Sequence, residues 1–598
     1  MSTDAQPVAG PAAPAPRIEP HVLILASALV LTVVAYIGSI RFQFVYDDVL
    51  QIVRNPLVHD WSSVGTFFRK HVWAFASPNW AGNYYRPLFL LWLLVNYSLF
   101  GLNVVGWHVT SLAMHLLATC MVYRLAARIT TDPATGAVAA LLFGVHPVHL
   151  EAVAWVSGVG DPILAVLAIG AVLAYLNARE QPEHRGRWLA VSLAACALAL
   201  LDKETGLAVP ALIFTTEWLL AEDGAPRGAL GRANVGTRDR ARAALRAVVP
   251  YLAVTLAYIA ARSAALSGFA HRDTHTSAAT LLLTLPSVVA FYARQLLLPI
   301  NLGLYYDVEF VLHPTVTNFW VPLLLLIAIA AGLVAWSRHS RAAAFALWWI
   351  VLPLGPPLAA TIYFVPGELV HDRYLYLPSI GFCILLAMAL RVLPRGVRVA
   401  GRAVLPSLAV AVLAILGTAT TFAQSVYWAS NLLLYNRAVQ VAPRNPKARD
   451  DLAGEMLERG DGPSAIRLYH EAQQLAPDAW EPNYYLGSVY LRLGKLDLAE
   501  KYLRQAIAIA PSNPEQHYFL AATLLREGRL DEAEALARFS AGRWPQTPGF
   551  HFALGVILER KGNLEAAHDA LAQEMRIAPG DEVQAALSRV DTQLAQRK

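Results

Sequence analysis

Charge is scarce in this chain: 15% of its 598 residues are Asp, Glu, Lys or Arg, against 56% that are hydrophobic. With a mean hydropathy of +0.42, a soluble body of this size would expose more apolar surface than water tolerates. Cysteine is scarcer still. Cys120, Cys196 and Cys383 all lie in apolar runs, and no pair has the spacing of a zinc site or the density of a disulfide framework. No GxxxxGK[ST] segment is present, so ATP or nucleotide-sugar chemistry has no phosphate-cradling loop to use. The net charge of +5 is small for the length, and the arginines scatter beside apolar runs without forming a stripe for nucleic acid. Asn55 lacks a Ser or Thr two residues on and is no glycosylation acceptor.

What is present falls into two parts. A pattern of 34 residues recurs four times near the C-terminus, with Gly460, Gly494, Gly528 and Gly562 in register with Ala465, Ala499, Ala533 and Ala567. Leu452, Leu486, Leu520 and Leu554, and Pro477, Pro511, Pro545 and Pro579, keep the same spacing. This is the tetratricopeptide repeat: antiparallel helix pairs meet at a glycine turn and pack closely across the alanine. Four full repeats (446–579) follow a half-repeat, since Tyr435, Ala438 and Pro443 sit one period before Tyr469, Ala472 and Pro477; a polar-faced helix from about Asp581 caps the end. Such an array binds a peptide or protein and has no chemistry of its own.

The preceding residues divide into a tail (1–19), rich in Ala and Pro and expected to be disordered, and a multi-pass membrane domain (20–428) whose first apolar run reads as an uncleaved anchor. Crossings are expected at 21–40, 107–127, 134–148, 160–177, 187–201, 206–221, 245–266, 318–337, 342–363, 375–392 and 403–426, about eleven in all. The stretches 86–100, rich in Trp, Tyr and Asn, and 280–300, which carries Arg294, read as interfacial or re-entrant. That choice gathers Arg124 and Arg128, Arg179 to Arg187, Arg227 to Arg246, Arg338 and Arg341, and Arg391 to Arg402 in alternate connections, the cytoplasmic ones. The N-terminus is then inside and the repeat domain (429–598) outside. The fold class is all-α: a membrane helix bundle followed by a repeat superhelix.

The remaining ionisable residues then share the outer face. Asp47 and Asp48 lie in the longest outer loop (41–106); His146, His149, Glu151 and Asp161, then Asp202, Lys203 and Glu204, Tyr305 to Asp307, and His371, Asp372 and Arg373 occupy the others. Charge at membrane depth is costly unless it lines a polar cavity, so this one-sided gathering defines a candidate site.

The phrases FVYDDVLQIVRNPLV (44–58), YRPL (85–88), HPVHLEAVAW (146–155), LDKETG (201–206) and HDRYLYLPS (371–379), in this order ahead of the repeats, resemble the transmembrane and tetratricopeptide repeat-containing O-mannosyltransferases, in a bacterial version. The resemblance runs from about residue 21 onward. It extends to the wider lipid-linked glycosyltransferases of GT-C type, whose first outer loop carries an acidic pair. It implies transfer of mannose or another sugar from a polyprenyl-phosphate donor to a Ser or Thr hydroxyl of a protein on the periplasmic side of a bacterial inner membrane. No cofactor is implied.

A serine or threonine hydroxyl is a weak nucleophile and needs a carboxylate to take its proton. Asp47 is the candidate base. Asp48 has two readings, direct participant or, through Gln51, a capping box starting a helix. Adjacent carboxylates diverge in an extended segment, which favours metal-free chemistry over a two-carboxylate clamp. The leaving lipid phosphate calls for fixed cations, and Arg373 leads the candidates because guanidinium matches phosphate in bidentate fashion. His371, Lys203 and Arg86 follow. Each has a plain alternative: Arg373 pairing with Asp372, Lys203 with Asp202 or Glu204, and Arg86 anchoring an interfacial helix. His146, His149, Glu151, Asp161 and Glu204 would orient substrate. A metal reading of the two histidines lacks a third ligand fixed by spacing. Trp61, Trp73, Trp80, Tyr84 and Tyr85 read first as interface anchors and second as sugar-stacking rings. Two other functions stay open, a transferase of this fold acting on a lipid or envelope polysaccharide and a non-enzymatic membrane scaffold or transporter.

Overall fold

The computed structural model describes residues 19–76, 82–220, 237–266, 268, 276–361, 367–394, 398–399, 402–403 and 405–597. The tail read as disordered lies outside these, as do Trp80, Arg227 and Arg232. Helices dominate; a two-residue antiparallel pairing of Arg398–Val399 with Arg402–Ala403 is the sheet among the described residues.

Eight described helices are long and apolar enough to cross a membrane, and a ninth follows if Pro133–Gly144 and Pro147–Ala154, bent by 53°, form one span. Pro147 explains the break, since proline removes a helical donor and its ring crowds the preceding turn. Arg185–Asp202, Ala208–Leu220 and Pro378–Arg391 have 18, 13 and 14 residues and fall short of that test. Ala278–Leu297, in the stretch read as interfacial, passes it.

Ion pairs nonetheless fall into two groups, at opposite ends of Gly160–Glu180. At one end Arg128 meets Glu180 at 2.6 Å, Arg179 meets Glu217 at 2.8 Å and Arg391 meets Asp132 at 2.5 Å. At the other, Lys203 meets Asp161, Arg86 and Arg262 meet Glu204, and Arg373 meets Glu151. Arg185–Asp202, though only 18 residues long, thus runs from one end to the other. Ala278–Leu297 does not. Its Thr284 accepts from the Val311 N–H, its Ser287 donates to the Asn318 carbonyl, and its Gln295 donates to Asp372. These contacts tie it to the connection that follows it and, through Gln295, to the Asp372 segment. Pro87–Phe100 behaves alike: Arg86 at its start is bound to Glu204, and Gly101 at its close accepts from the Trp107 indole at 2.9 Å.

The repeats follow the expected geometry. Gly460, Gly494, Gly528 and Gly562 take φ of 84°, 74°, 79° and 79°, a left-handed region in which a Cβ meets the following carbonyl. Ala465, Ala499, Ala533 and Ala567 are fully buried where paired helices touch. Asp581–Arg597 closes the array, burying Val583, Ala586 and Val590. Nothing lies within 4 Å of a Cβ built on Gly528, so backbone strain is the whole cost of Gly528→Ala: about 1 kcal/mol of array stability, read as a lowered urea midpoint of the isolated repeat unit.

The array is tied to the second end of the bundle. Asn431 accepts from the Tyr46 N–H at 2.8 Å, the Arg444 N–H donates to Asp307 at 3.1 Å, and Asn445 donates to the Gly367 carbonyl at 2.8 Å.

Candidate active site

Asp47 and Asp48 follow Tyr46, a non-glycine residue at φ 55°. That left-handed turn is held by Asn431 from the repeat side and by the Tyr46 ring against Trp155, 5.7 Å between centroids. The two carboxylates meet different surroundings. Asp48 is fully buried: its Oδ1 accepts from the Ser157 N–H at 2.8 Å and hydroxyl at 2.5 Å, and its Oδ2 accepts from the Val45 N–H at 3.2 Å. It makes no side-chain cap bond to the turn it starts, so the capping-box reading is replaced by a tie between distant loops. Asp48→Ala would strand these buried donors, and thermal unfolding of the purified protein should register a loss of roughly 1–3 kcal/mol.

Asp47 is partly exposed, and no hydrogen bond or ion pair among the described residues reaches its carboxylate. Burial, followed by the negative charges of Asp48, Glu368 and Asp451, pushes it up to about 7 against the pull of Arg373.

Each cation of the site is matched to a carboxylate far away in sequence. Arg373 pairs with Glu151, not with its neighbour Asp372: the guanidinium and the backbone N–H, at 2.9 Å, both donate to Glu151. Its guanidinium also faces the Trp155 and Tyr374 rings at 5.5 and 5.2 Å. Lys203 donates to both oxygens of Asp161 at 2.6 Å, not to Asp202 or Glu204. Arg86 binds Glu204 at 2.7 Å, with Arg262 at 3.5 Å on the same carboxylate. Burial pushes Lys203 down, partly offset by Asp161, whereas Arg86 and Arg262 hold Glu204 below the usual range against its burial. Arg373 and Arg86 keep 18% and 24% of their side chains exposed, leaving edges for an anionic ligand. His371, 3.6 Å from Glu151, is held down by burial and by the charges of Arg373 and Lys203.

His146 and His149 point into the bundle. The first meets the Leu296 carbonyl at 3.1 Å and the second meets Ser379 at 2.8 Å, within a cluster that includes His115 and Tyr376. No group of three or more metal-ligating side chains forms among the described residues.

Three further carboxylates join the site: Asp372 and Asp202, given no role of their own from the sequence beyond membership of the outer-face group, and Asp451, which the sequence did not single out. Asp372 accepts from Tyr306 and, at 2.9 Å, from Gln295, and burial pushes it up to about 7. Asp202 is 1% exposed, with neither oxygen hydrogen-bonded among the described residues. Asp451, from the first helix of the first full repeat, accepts from Tyr305 at 2.6 Å and pairs with Lys447 at 3.0 Å, so the array itself walls the site. The LDKETG and HDRYLYLPS segments carried the first two; nothing in the repeat pattern marks the third.

A family model described as dolichyl-phosphate-mannose-protein mannosyltransferase matches residues 85–232, and two tetratricopeptide repeat models match 456–523 and 520–582. A protein O-mannosyl-transferase of Caenorhabditis elegans is 26% identical over 74% of this chain and 60% of its own length. The human protein O-mannosyl-transferases TMTC1 and TMTC4 are each 26% identical, over 72% and 73% of this chain and 52% and 64% of their own. Among solved structures, a thermophilic tetratricopeptide repeat protein of Thermus thermophilus is 21% identical, covering 31% of this chain and 95% of that one at a TM-score of 0.25. The chain is similar to the transmembrane and tetratricopeptide repeat O-mannosyl-transferases in both its membrane part and its repeats. It spans about half to two thirds of the length of these curated relatives.

Proposed function

We propose that this protein is a membrane glycosyltransferase that moves a sugar, mannose by family, from a polyprenyl-phosphate donor to a Ser or Thr hydroxyl of a protein on the non-cytoplasmic face. The observation that carries the reading is Asp47: a carboxylate unpaired among the described residues, raised toward neutrality, beside Arg373 and the docked repeats. A base titrating near the working pH takes a hydroxyl proton efficiently. As the acceptor oxygen bonds to the anomeric carbon, its proton passes to Asp47 and the bond to the lipid phosphate breaks. The exposed edges of Arg373 and Arg86 meet the charge that grows on that phosphate. With the arginine-rich connections inside and eleven crossings, the N-terminus would lie in the cytoplasm and the repeats outside, where the array's inner face would lead an acceptor segment toward Tyr305 and Asp47.

The pH dependence tests the assignment. The active form is the carboxylate, so kcat/KM should be maximal above the raised Asp47 value and fall as pH drops through about 7. Arg373 pulls that value down, so Arg373→Gln should move the acidic limb to higher pH. A flat profile between pH 5 and 8 would remove Asp47 as the base.

A further inference from the structure

We infer that the acceptor is read by charge: the junction between the Asp47 loop and the first two repeats is a recognition site for a lysine or arginine side chain a few residues from the acceptor hydroxyl. The inference deepens the proposed transfer and rests on it for the identity of the partner as a polypeptide. Four carboxylates at this junction, Asp47, Glu368, Asp450 and Glu481, have no hydrogen bond or ion pair among the described residues. Asp450 belongs to Pro446–Glu458 and Glu481 opens Glu481–Arg492, the first helices of two successive repeats. Asp451 joins them. It accepts from Tyr305, whose hydroxyl stands 3.5 Å from that of Tyr46, the residue before Asp47.

Lys447 is the cation among these acids, held by Asp451 at 3.0 Å. The neighbouring guanidiniums are committed elsewhere: Arg373 to Glu151, Arg449 to Glu471 at 3.3 Å, and Arg444 to Asp307 and Glu309 at 3.6 and 3.8 Å. Five carboxylates around one lysine leave the junction negative, although acidic and basic residues nearly balance over 429–598. Asp450 separates a ligand site from a merely acidic surface. Its side chain is 6% exposed, it lies one helical turn from Lys447 on the same face, and its Oδ1 has no donor. A buried carboxylate without a donor is destabilising, and a cation carried in by the acceptor supplies what it lacks. Burial, with the charges of Asp451 and Glu481, holds both Glu368 and Asp450 above the usual carboxylate range against the pull of Lys447. The acids do not converge as metal ligands among the described residues. Their spread over a loop and two helices suits a long, flexible side chain, and two short contacts from Tyr46 to Asp451 correspond to a few residues of extended acceptor.

Peptide binding to the full-length protein without donor, followed by fluorescence anisotropy, tests this. The probe is a labelled alanine-based peptide with one serine and one lysine, the lysine moved stepwise to either side, set against the same peptides with glutamate in place of lysine. The best lysine peptide should bind about tenfold tighter than its glutamate counterpart, and high salt should narrow the gap. Asp450→Asn with Glu481→Gln should bring the two within about twofold of each other. Glu481→Gln alone, at a half-buried side chain with no partner to lose, should show part of that loss should the pair of changes fail to fold. Glu565→Gln with Glu582→Gln, exposed acids at the far end of the array, should leave the preference intact. Mannose transfer to the same peptides is read separately, so failed transfer with a retained preference counts against the proposed reaction and not against the site. Equal binding of the two peptides, an unchanged preference in the Asp450→Asn, Glu481→Gln protein, or a preference erased by millimolar calcium at constant ionic strength would overturn the site.

Discussion

Asp47→Asn is expected to lower sugar transfer by roughly 10²–10⁴-fold, the range lost with a positioned general base, while abundance and thermal midpoint stay at wild type. The two halves of this expectation have separate grounds. Loss of transfer follows from removing a carboxylate beside Arg373 that has no partner among the described residues to neutralise it. Retained stability follows because no hydrogen bond among the described residues ends on that side chain, and because an amide replaces an acid that burial already strains toward neutrality. The contrast with Asp48→Ala is the diagnostic: there stability falls, because Ser157 and Val45 lose their acceptor. Transfer of radiolabelled mannose from a polyprenyl-phosphate donor in purified membranes, set against protein level, reads both.

The second large effect is on folding. Glu151 is 1% exposed and accepts both the Arg373 guanidinium and its backbone N–H, with His371 close by. Glu151→Gln leaves the largely buried guanidinium, 18% exposed, without its counter-charge, a class of change that costs about 3 kcal/mol. Folded protein should fall sharply. A companion change, Arg373→Gln, should restore much of the stability without restoring transfer, because it removes the stranded charge together with the phosphate contact. Should Glu151→Gln fold as well as wild type, the pair is not the strut that joins the HPVHLE segment to the HDRYLYLPS segment. Unfolding midpoints of the two single variants and the double variant give the coupling directly.

The repeats were legible because a recurring backbone demand, a left-handed turn with a small residue five positions on, leaves a recurring sequence. The candidate site was legible for a different reason: in an apolar chain, charge survives only where something polar surrounds it. Its pairing was not. Arg373 and Glu151 are 222 residues apart, and neighbours such as Asp372 or Glu204, close in sequence, project toward other partners once the loop turns. Asp48 shows the same limit. A local pattern suggested a cap, yet Ser157 offered two donors, and no local pattern encodes a loop that arrives from 109 residues away. Composition reads 280–300 as interfacial, whereas Ala278–Leu297 is among the helices long and apolar enough to cross. Asp451 stayed hidden because a repeat residue reads as repeat surface until the array is docked.

The proposed reaction requires the Asp47 cluster and the repeats to share one compartment, opposite the Asp132 and Arg391 end. Single cysteines at Asp47, Ser512 and Thr131, in a chain with Cys120, Cys196 and Cys383 replaced, test it with a membrane-impermeant thiol reagent on sealed, right-side-out membranes. The account predicts labelling at 47 and 512 without permeabilisation and at 131 only after it. Labelling at 131 from outside, with 47 and 512 reached only from within, would contradict it.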